Sequence, residues 1–450
     1  MLLPVSARGK GRPAARNRPL AVVFVVVLTA LGFLAWLNLV PSTRVGFREA
    51  SSFSSPSDST STSSDTHSAT LALEALAEAA AATSSAADTA AVPAPSSLQA
   101  DEEVSGGATQ GKDGNLYPPT FVPSQANTQP RVNAGFIVLV RNEELEDMKS
   151  SMRQVEYRFN RKYGYPWIFL NDQPFTDEFK DGVRKVTRSE VRFGQVPHEH
   201  WSYPSWISED KAAETRERMK NVVYGSSESY RHMCRWNSGF FFRHNLTLDL
   251  DYYWRVEPGI KLYCDVDYDP FAFMQLNNKT YGFTITAREF RETVPTLWQT
   301  TKAFMDEHPE HVAERNIMQF LTATEGGDDW NTCHFWSNFE IGDLNFFRSK
   351  AYLDFFDYLD KQGGFFYERW GDAPVHTIAA SLLQDKCKVH HFDDIGYKHS
   401  SWDHCPANGA YHDSGRCDCN PSQSFDRHSW SCLNLWWASS DEGYPSYAVP

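Results

Sequence analysis

No cysteine precedes Cys234; all eight lie at Cys234, Cys264, Cys333, Cys387, Cys405, Cys417, Cys419 and Cys432. A disulfide framework is therefore excluded from the first half of the chain and expected in the second. Basic charge is also short. Lys and Arg total 43 against 57 Asp and Glu, a formal charge of −14, which removes the electrostatic reason to bind nucleic acid. No internal repeat is visible, so solenoid and propeller architectures are set aside. Between about Ser51 and Gln129 large apolar residues are scarce. SSFSSPSDSTSTSSDTHS is small and polar, and LALEALAEAAAATSSAADTAAVPAPSS is Ala-rich. Such a segment cannot bury enough apolar surface to offset its chain entropy, and it reads as a disordered stem, residues 41–129.

Charge is missing altogether from Leu20 to Val40, an apolar run of about 21 residues and enough to cross a bilayer core. Arg8, Lys10, Arg12, Arg16 and Arg18 precede it, while only Arg44 and Arg48 follow closely. The positive-inside rule then predicts a cytoplasmic tail over residues 1–19, a signal anchor over 20–40 and everything beyond on the far side of the membrane. A cleaved signal peptide fits less well, because its apolar part is normally shorter and no small-residue cleavage site stands before Pro41.

The remainder, residues 130–450, is long enough for one large domain with its own core. Phe136 to Val140 is a continuous apolar run and predicts a buried strand. Leu145, Met148, Met152, Val155 and Phe159 follow at helical spacing, and Trp167 to Leu170 is a second run. Strand, helix and strand in so short a span predict a βαβ unit and a parallel sheet. Further strands are expected over Thr187 to Val196, Tyr252 to Val256, Tyr281 to Thr286 and Val389 to Phe392. Helices are expected over Glu209 to Val223, Tyr230 to Phe242, Thr296 to Asp306, His311 to Thr322, Lys350 to Lys361 and Ala373 to Leu383.

The aromatic-rich stretch from Tyr230 to Asp269 organises this domain. Its run Tyr252-Tyr253-Trp254-Arg255-Val256 stops at Glu257-Pro258-Gly259, where Pro258 cannot continue a ladder and Gly259 permits a tight turn. Glu257 is thereby expected at the carboxyl end of a strand, the edge where open α/β sheets bind ligands. A carboxylate there can hold a divalent ion, and the ion can neutralise a diphosphate. A surface ion pair is the plainer reading. Asp265-Val266-Asp267 also has metal-binding spacing, and the competing reading is a cap for the following helix. Arg141, just past the first strand, and Arg255 are candidates for phosphates, with structural ion pairing equally open. Asp372 precedes a helix that Pro374 can start; it is a candidate acceptor contact or a simple N-cap. Glu340, among Phe335, Phe339 and Ile341, is expected to be partly buried and hence to have a partner or a task. Four cysteines, Cys405, Cys417, Cys419 and Cys432, also admit a zinc reading, though Cys-x-Cys is poor spacing for structural zinc. Asn245-Leu246-Thr247 and Asn278-Lys279-Thr280 are glycosylation sequons.

YRHMCRWNSGFFF followed by YYWRVEP resembles the fungal Golgi α-1,2-mannosyltransferases. GFIVLVRN (Gly135 to Asn142), NFEIGDLNFFRS (Asn338 to Ser349), ERWGDAPVH (Glu368 to His376) and HHFDDIGYKH (His390 to His399) fit the same family in the same order. The resemblance spans about Val132 to Cys432. It implies a GT-A type nucleotide-sugar transferase fold with a mixed, mainly parallel central sheet behind a single transmembrane helix. It implies a retaining, Mn²⁺-dependent enzyme of the Golgi membrane, type II in topology. GDP-mannose would be the donor and the 2-hydroxyl of a mannose on a glycoprotein the acceptor. By position, Glu340 matches the family's candidate nucleophile, Tyr230 a tyrosine near donor and acceptor, and His399 and Glu257 the manganese ligands. Where the family carries Glu-Pro-Asp this chain has Gly259 as the third residue. Alternatives are a mannosylphosphate transferase of the same family and an inactive glycan-binding membrane protein.

Overall fold

A computed structural model describes residues 129–322 and 327–445, with position 127 and the short strand pair Thr109–Gln110 and Leu116–Tyr117. The expected anchor Leu20 to Val40, and the stem apart from positions 109–110, 116–117, 127 and 129, lie outside the described residues. No helix among the described residues is long and apolar enough to cross a membrane.

The elements used below are β1 (Ala134–Leu139), α1 (Leu145–Val155), β2 (Trp167–Asn171), α2 (Asp177–Arg184), β3 (Val191–Gln195), α3 (Glu209–Arg218), α4 (Glu228–Gly239), β4 (Tyr252–Arg255), β5 (Lys261–Leu262), α5 (Pro270–Leu276), β6 (Tyr281–Phe283), β7 (Thr286–Arg288), α6 (Leu297–Glu307), β8 (Cys333–Phe335), β9 (Glu340–Asp343), α7 (Lys350–Gln362), α8 (Asp372–Leu382), β10 (Val389–His391), β11 (Tyr397–His399) and β12 (Trp402–His404). Seven strands form the central sheet in the order β10-β6-β9-β4-β1-β2-β3. The pairs β1–β2, β1–β4, β2–β3 and β6–β10 are parallel, and β9 runs antiparallel to β4 and β6. The sheet is thus mixed and mainly parallel.

Successive residues of β1 feed opposite faces, as the pleat requires. Phe136 stacks on Trp167 at 4.4 Å and meets Trp254 at 5.6 Å, its neighbours in register on β2 and β4. Ile137, Ile168 and Tyr253 point into the other core, under α4, α7 and α8. Both faces are covered, which explains why these strands read as continuous apolar runs rather than alternating ones. The chain leaves β1 through α1 to β2 and α2 to β3, and β4 returns to the other side of β1. The switch point therefore lies between the ends of β1 and β4.

Several expectations need correction. No helix fills His311 to Thr322; a 3-10 turn over Pro309–His311 and a single turn over Met318–Leu321 stand there. Asp269, not Asp265 or Asp267, caps α5, accepting from the backbone of Phe271 and Ala272, with Pro270 pre-set at the first helical position. The cysteines form three disulfides, Cys264–Cys417, Cys333–Cys432 and Cys405–Cys419, and leave Cys234 and Cys387 as thiols. The zinc reading fails because all four of its cysteines are oxidised. Two of the bridges tie the segment after β12 back to residues 153 and 99 positions earlier, and each such closure contributes about 2–4 kcal/mol.

Candidate active site

A cleft of about 520 Å³ opens at the switch point. Leu139, Val140 and Arg141 enter it from the end of β1, Arg255, Glu257 and Pro258 from the end of β4. Because β9 is antiparallel, its leading residues Ser337 and Asn338 arrive at the same edge. Tyr230 comes from the first turn of α4, whose cap is the Ser227 hydroxyl. Asp372 comes from the first turn of α8 and His399 from the end of β11.

Arg255 is the centre of the site. Its Nη1 donates to Asp372 Oδ2 at 2.5 Å and to Ser337 Oγ at 3.3 Å, its Nη2 donates to Glu257 Oε1 at 2.6 Å, and Glu340 Oε1 lies 3.9 Å away. Burial disfavours its charge, but these carboxylates outweigh burial and raise its pKa. Burial likewise opposes the charge on Asp372. Arg255, His376 and Ser337 overcome it and hold that carboxyl below its ordinary range. Asp372 is not a cap: Gly371 holds that position and no side chain bonds the helix end. Arg141 donates to Ser229 Oγ at 2.6 Å, and among the described residues no carboxylate ion-pairs with it.

Glu257 Oε2 and His399 Nε2 face each other at 3.9 Å, too far for a hydrogen bond. Both side chains are about one quarter exposed. His399 Nε2 lies 3.2 Å from the Pro258 carbonyl and Nδ1 lies 2.8 Å from the Asn338 amide nitrogen. Asn338 Oδ1 is buried and has no partner. Turning that amide over lets Oδ1 accept from Nδ1–H. A cation on Nε2 would then take the place of the Pro258 carbonyl as the partner of that nitrogen. The donor set of one carboxylate and one imidazole, backed by Asn338, fits a divalent ion such as Mn²⁺. Gly259, at φ +81° with open space around it, makes the turn that ends this wall.

Tyr230 Oη accepts from Arg369 Nη1 at 3.1 Å, and Arg369 Nη2 pairs with Glu289 at 3.2 Å. Burial pushes the phenol well above its ordinary pKa. Glu340 sits below the cleft, beside a much smaller cavity that shares Leu139, Asn237 and Arg255 with it. It accepts from the Tyr253 and Tyr281 hydroxyls at 2.8 Å each and pairs with His376 Nδ1 at 2.9 Å. His376 Nε2 donates to the Asn237 carbonyl at 2.9 Å. Burial opposes a charged His376, but Glu340 prevails and raises its pKa.

Asp265 and Asp267 line no part of the cleft. Asp265 pairs with Arg158 at 2.9 Å and Asp267 with Arg416 at 3.6 Å, both largely exposed. Sequence reasoning missed Ser337, Asn338, Glu289 and Arg369. Arg369 and Asn338 had a local signal, lying inside the ERWGDAPVH and NFEIGDLNFFRS segments.

A polar cleft of cations, carboxylates and an imidazole at the switch point of a mixed sheet defines a glycosyltransferase-type site. A similar solved structure is core-mannan synthase A of Aspergillus fumigatus in its Mn/GDP form. That structure is 44% identical, with a TM-score of 0.65, covering 70% of this chain and 88% of that one. The chain belongs to the glycolipid 2-alpha-mannosyltransferase family, whose model matches residues 97–441. Glycolipid 2-alpha-mannosyltransferase 2 of Candida albicans is 55% identical over 304 residues, 67% of this chain and 66% of that protein. Glycolipid 2-alpha-mannosyltransferase of Saccharomyces cerevisiae is 53% identical over 313 residues, 69% of this chain and 71% of that protein.

Proposed function

We propose that the chain is a retaining α-1,2-mannosyltransferase that moves mannose from GDP-mannose to the 2-hydroxyl of a mannose on O- or N-linked glycans of glycoproteins. The observation that carries this reading is the convergence of Arg141, Arg255, Glu257, His399, Tyr230 and Asp372 on one cleft. The relatives' names support the reaction and linkage, and the Mn/GDP form of core-mannan synthase A supports the nucleotide and metal.

Glu257 and His399 would hold Mn²⁺, which when bound neutralises charge on the departing diphosphate. Arg141, with no carboxylate pairing it, is the cation available to that diphosphate. Arg255 fixes Glu257 and Asp372 with its two arms and so sets the spacing of the metal side and the acceptor side. Asp372 remains ionised and accepts a hydrogen bond from the acceptor hydroxyl. Arg369 occupies a lone pair of Tyr230 Oη, so the phenol offers its proton to the sugars. Glu340 and His376 brace the floor from which Tyr253 and Arg255 rise.

The same proposal includes a cytoplasmic tail over residues 1–19, an anchor over 20–40, a stem over 41–129 and a lumenal catalytic domain over 130–450 in the Golgi membrane. The uncharged run with its basic flank supports the anchor, and three disulfides suit an oxidising lumen. The test is to incubate the full-length chain with GDP-mannose, methyl α-mannoside and Mn²⁺. An α-1,2-linked dimannoside is expected; no product, or a mannosyl phosphate, overturns the reading.

A further inference from the structure

Tyr224 stands at φ +58°, a left-handed conformation that bulky residues rarely adopt. Its side chain is not tucked away in exchange. The residue is 60% exposed, borders the cleft and stacks parallel on Tyr230, with ring centroids 4.6 Å apart and planes 11° from parallel. One ring face is thus covered and the other is open to water at the mouth of the cleft.

The turn that presents it is built firmly. Val222, Gly225 and Ser227 donate in sequence to the carbonyls of Met219, Val222 and Tyr224. A side chain at Gly225 would strike the Met219 carbonyl at 2.0 Å. From beneath, fully buried Arg231 donates to the Ser227 carbonyl at 2.9 Å and reaches Met219 Sδ at 3.7 Å, gripping both ends of the turn. Arg231 has no carboxylate partner among the described residues, and burial pushes its pKa down to about 10. A buried cation is costly unless hydrogen-bonded, and Arg231 spends its donors on the carbonyls of Ser227 and Glu368, tying the turn to the segment that carries Arg369. Strained backbone held by its surroundings clusters at functional sites.

We propose that the open face of Tyr224 is the platform for the second hexose of the acceptor, next to the mannose that receives the new bond at Tyr230. This rests on the transferase reading above and adds acceptor length to it. Aromatic faces pack against the apolar faces of sugar rings, and a rigid platform binds with little ordering cost. The recognised class is a neutral hexose joined to the reacting mannose, so a monosaccharide acceptor gains nothing from it.

The test uses the full-length chain, GDP-mannose and two acceptors, methyl α-mannoside and methyl α-mannobioside. The variants are Tyr224→Asn, which tolerates left-handed backbone but has no ring, and Tyr224→Phe. The wild-type chain is expected to favour the disaccharide. In Tyr224→Asn the disaccharide-to-monosaccharide ratio of kcat/KM falls about tenfold, with the loss in the KM of the disaccharide. Tyr224→Phe keeps the wild-type ratio. A ratio within twofold of wild type in Tyr224→Asn, or equal losses on both acceptors, overturns the platform while leaving the transferase reading intact. A wild-type chain inactive on both acceptors overturns both.

Discussion

Two glutamate–histidine pairs flank Arg255. Glu340 and His376 are 2.9 Å apart and essentially without solvent exposure, and two tyrosines complete the glutamate's bonding. Glu257 and His399 are 3.9 Å apart and about one quarter exposed. The residue types are the same, but burial and one ångström divide their chemistry. The closed pair has a proton between its partners and no free lone pair directed at the cleft. The open pair, with one Glu257 oxygen held by Arg255 and His399 positioned by Pro258 and Asn338, keeps Glu257 Oε2 and His399 Nε2 facing a space that a cation can bridge. Separation and exposure, more than residue identity, mark which pair can take a ligand.

The hardest test of that contrast is to remove the open glutamate. Glu257→Ala is expected to lower kcat/KM on the order of a thousandfold, the several kcal/mol that metal stabilisation of a leaving group supplies. Direct Mn²⁺ binding, followed by electron paramagnetic resonance, should weaken in parallel while the melt stays cooperative. If Asp265→Ala shows this behaviour instead, the open pair is not the metal site.

The closed pair should respond in stability. Glu340→Ala leaves the buried His376 ring and two buried hydroxyls without their acceptor and should cost about 3–5 kcal/mol in urea unfolding. Glu340→Gln keeps an acceptor and should cost less. A fully stable Glu340→Gln that nonetheless loses a thousandfold in turnover would show Glu340 reacting directly and would break the comparison.

A third acid–histidine pair extends it. His404 Nδ1 meets Asp426 at 2.7 Å and Nε2 meets the Asp393 carbonyl at 3.0 Å. Burial opposes its charge, but Asp426 prevails and lifts its pKa to about 9. A histidine with a raised folded pKa stabilises fully below its unfolded value near 6.5 and loses that contribution as pH climbs through the folded value. Unfolding free energy should therefore fall by about 3 kcal/mol between pH 6.5 and 9, and His404→Asn should flatten that slope. Asp393, raised to about 6 chiefly by burial, favours the fold while protonated and loses that contribution as pH climbs from about 4 to 6, so the two windows separate. An unchanged slope in His404→Asn would remove His404 from the closed class.

The smallest effect belongs to the Asp-x-Asp. Asp265→Ala removes one exposed partner of Arg158 and should cost less than about 1 kcal/mol with turnover retained.

The first βαβ unit was legible because β1 and β2 are continuous apolar runs, α1 keeps a helical period, and the three follow one another in sequence. The end of β4 was legible because Pro258 and Gly259 punctuate it. The cap of α5 falls on Asp269, where Asp269-Pro270 carries the signal, and not on the Asp265 and Asp267 expected from the sequence, whose metal-like spacing lies two residues earlier. β9 was not assigned as a strand, since Glu340 to Asp343 is too short and polar to show a period, and only pairing with β4 and β6 makes it one. Ser337, Asn338 and Glu289 reach the cleft, and Arg369 reaches Tyr230, through long-range pairing that local periodicity does not encode.

His399 reaches the Pro258 carbonyl across 141 residues, and β11 is held there by two short pairings, to β5 and β12. Contacts of such long range close late, because their loops must be ordered before they reward the chain. The cleft is therefore completed in time as well as in space. A chain emerging from the ribosome presents β1 to β4 and Glu257 well before the segment that carries His399. A truncation before β11 would remove His399 together with at least one cysteine of each of the three disulfides, so one cut takes away both this wall of the cleft and the bridges that tie it down.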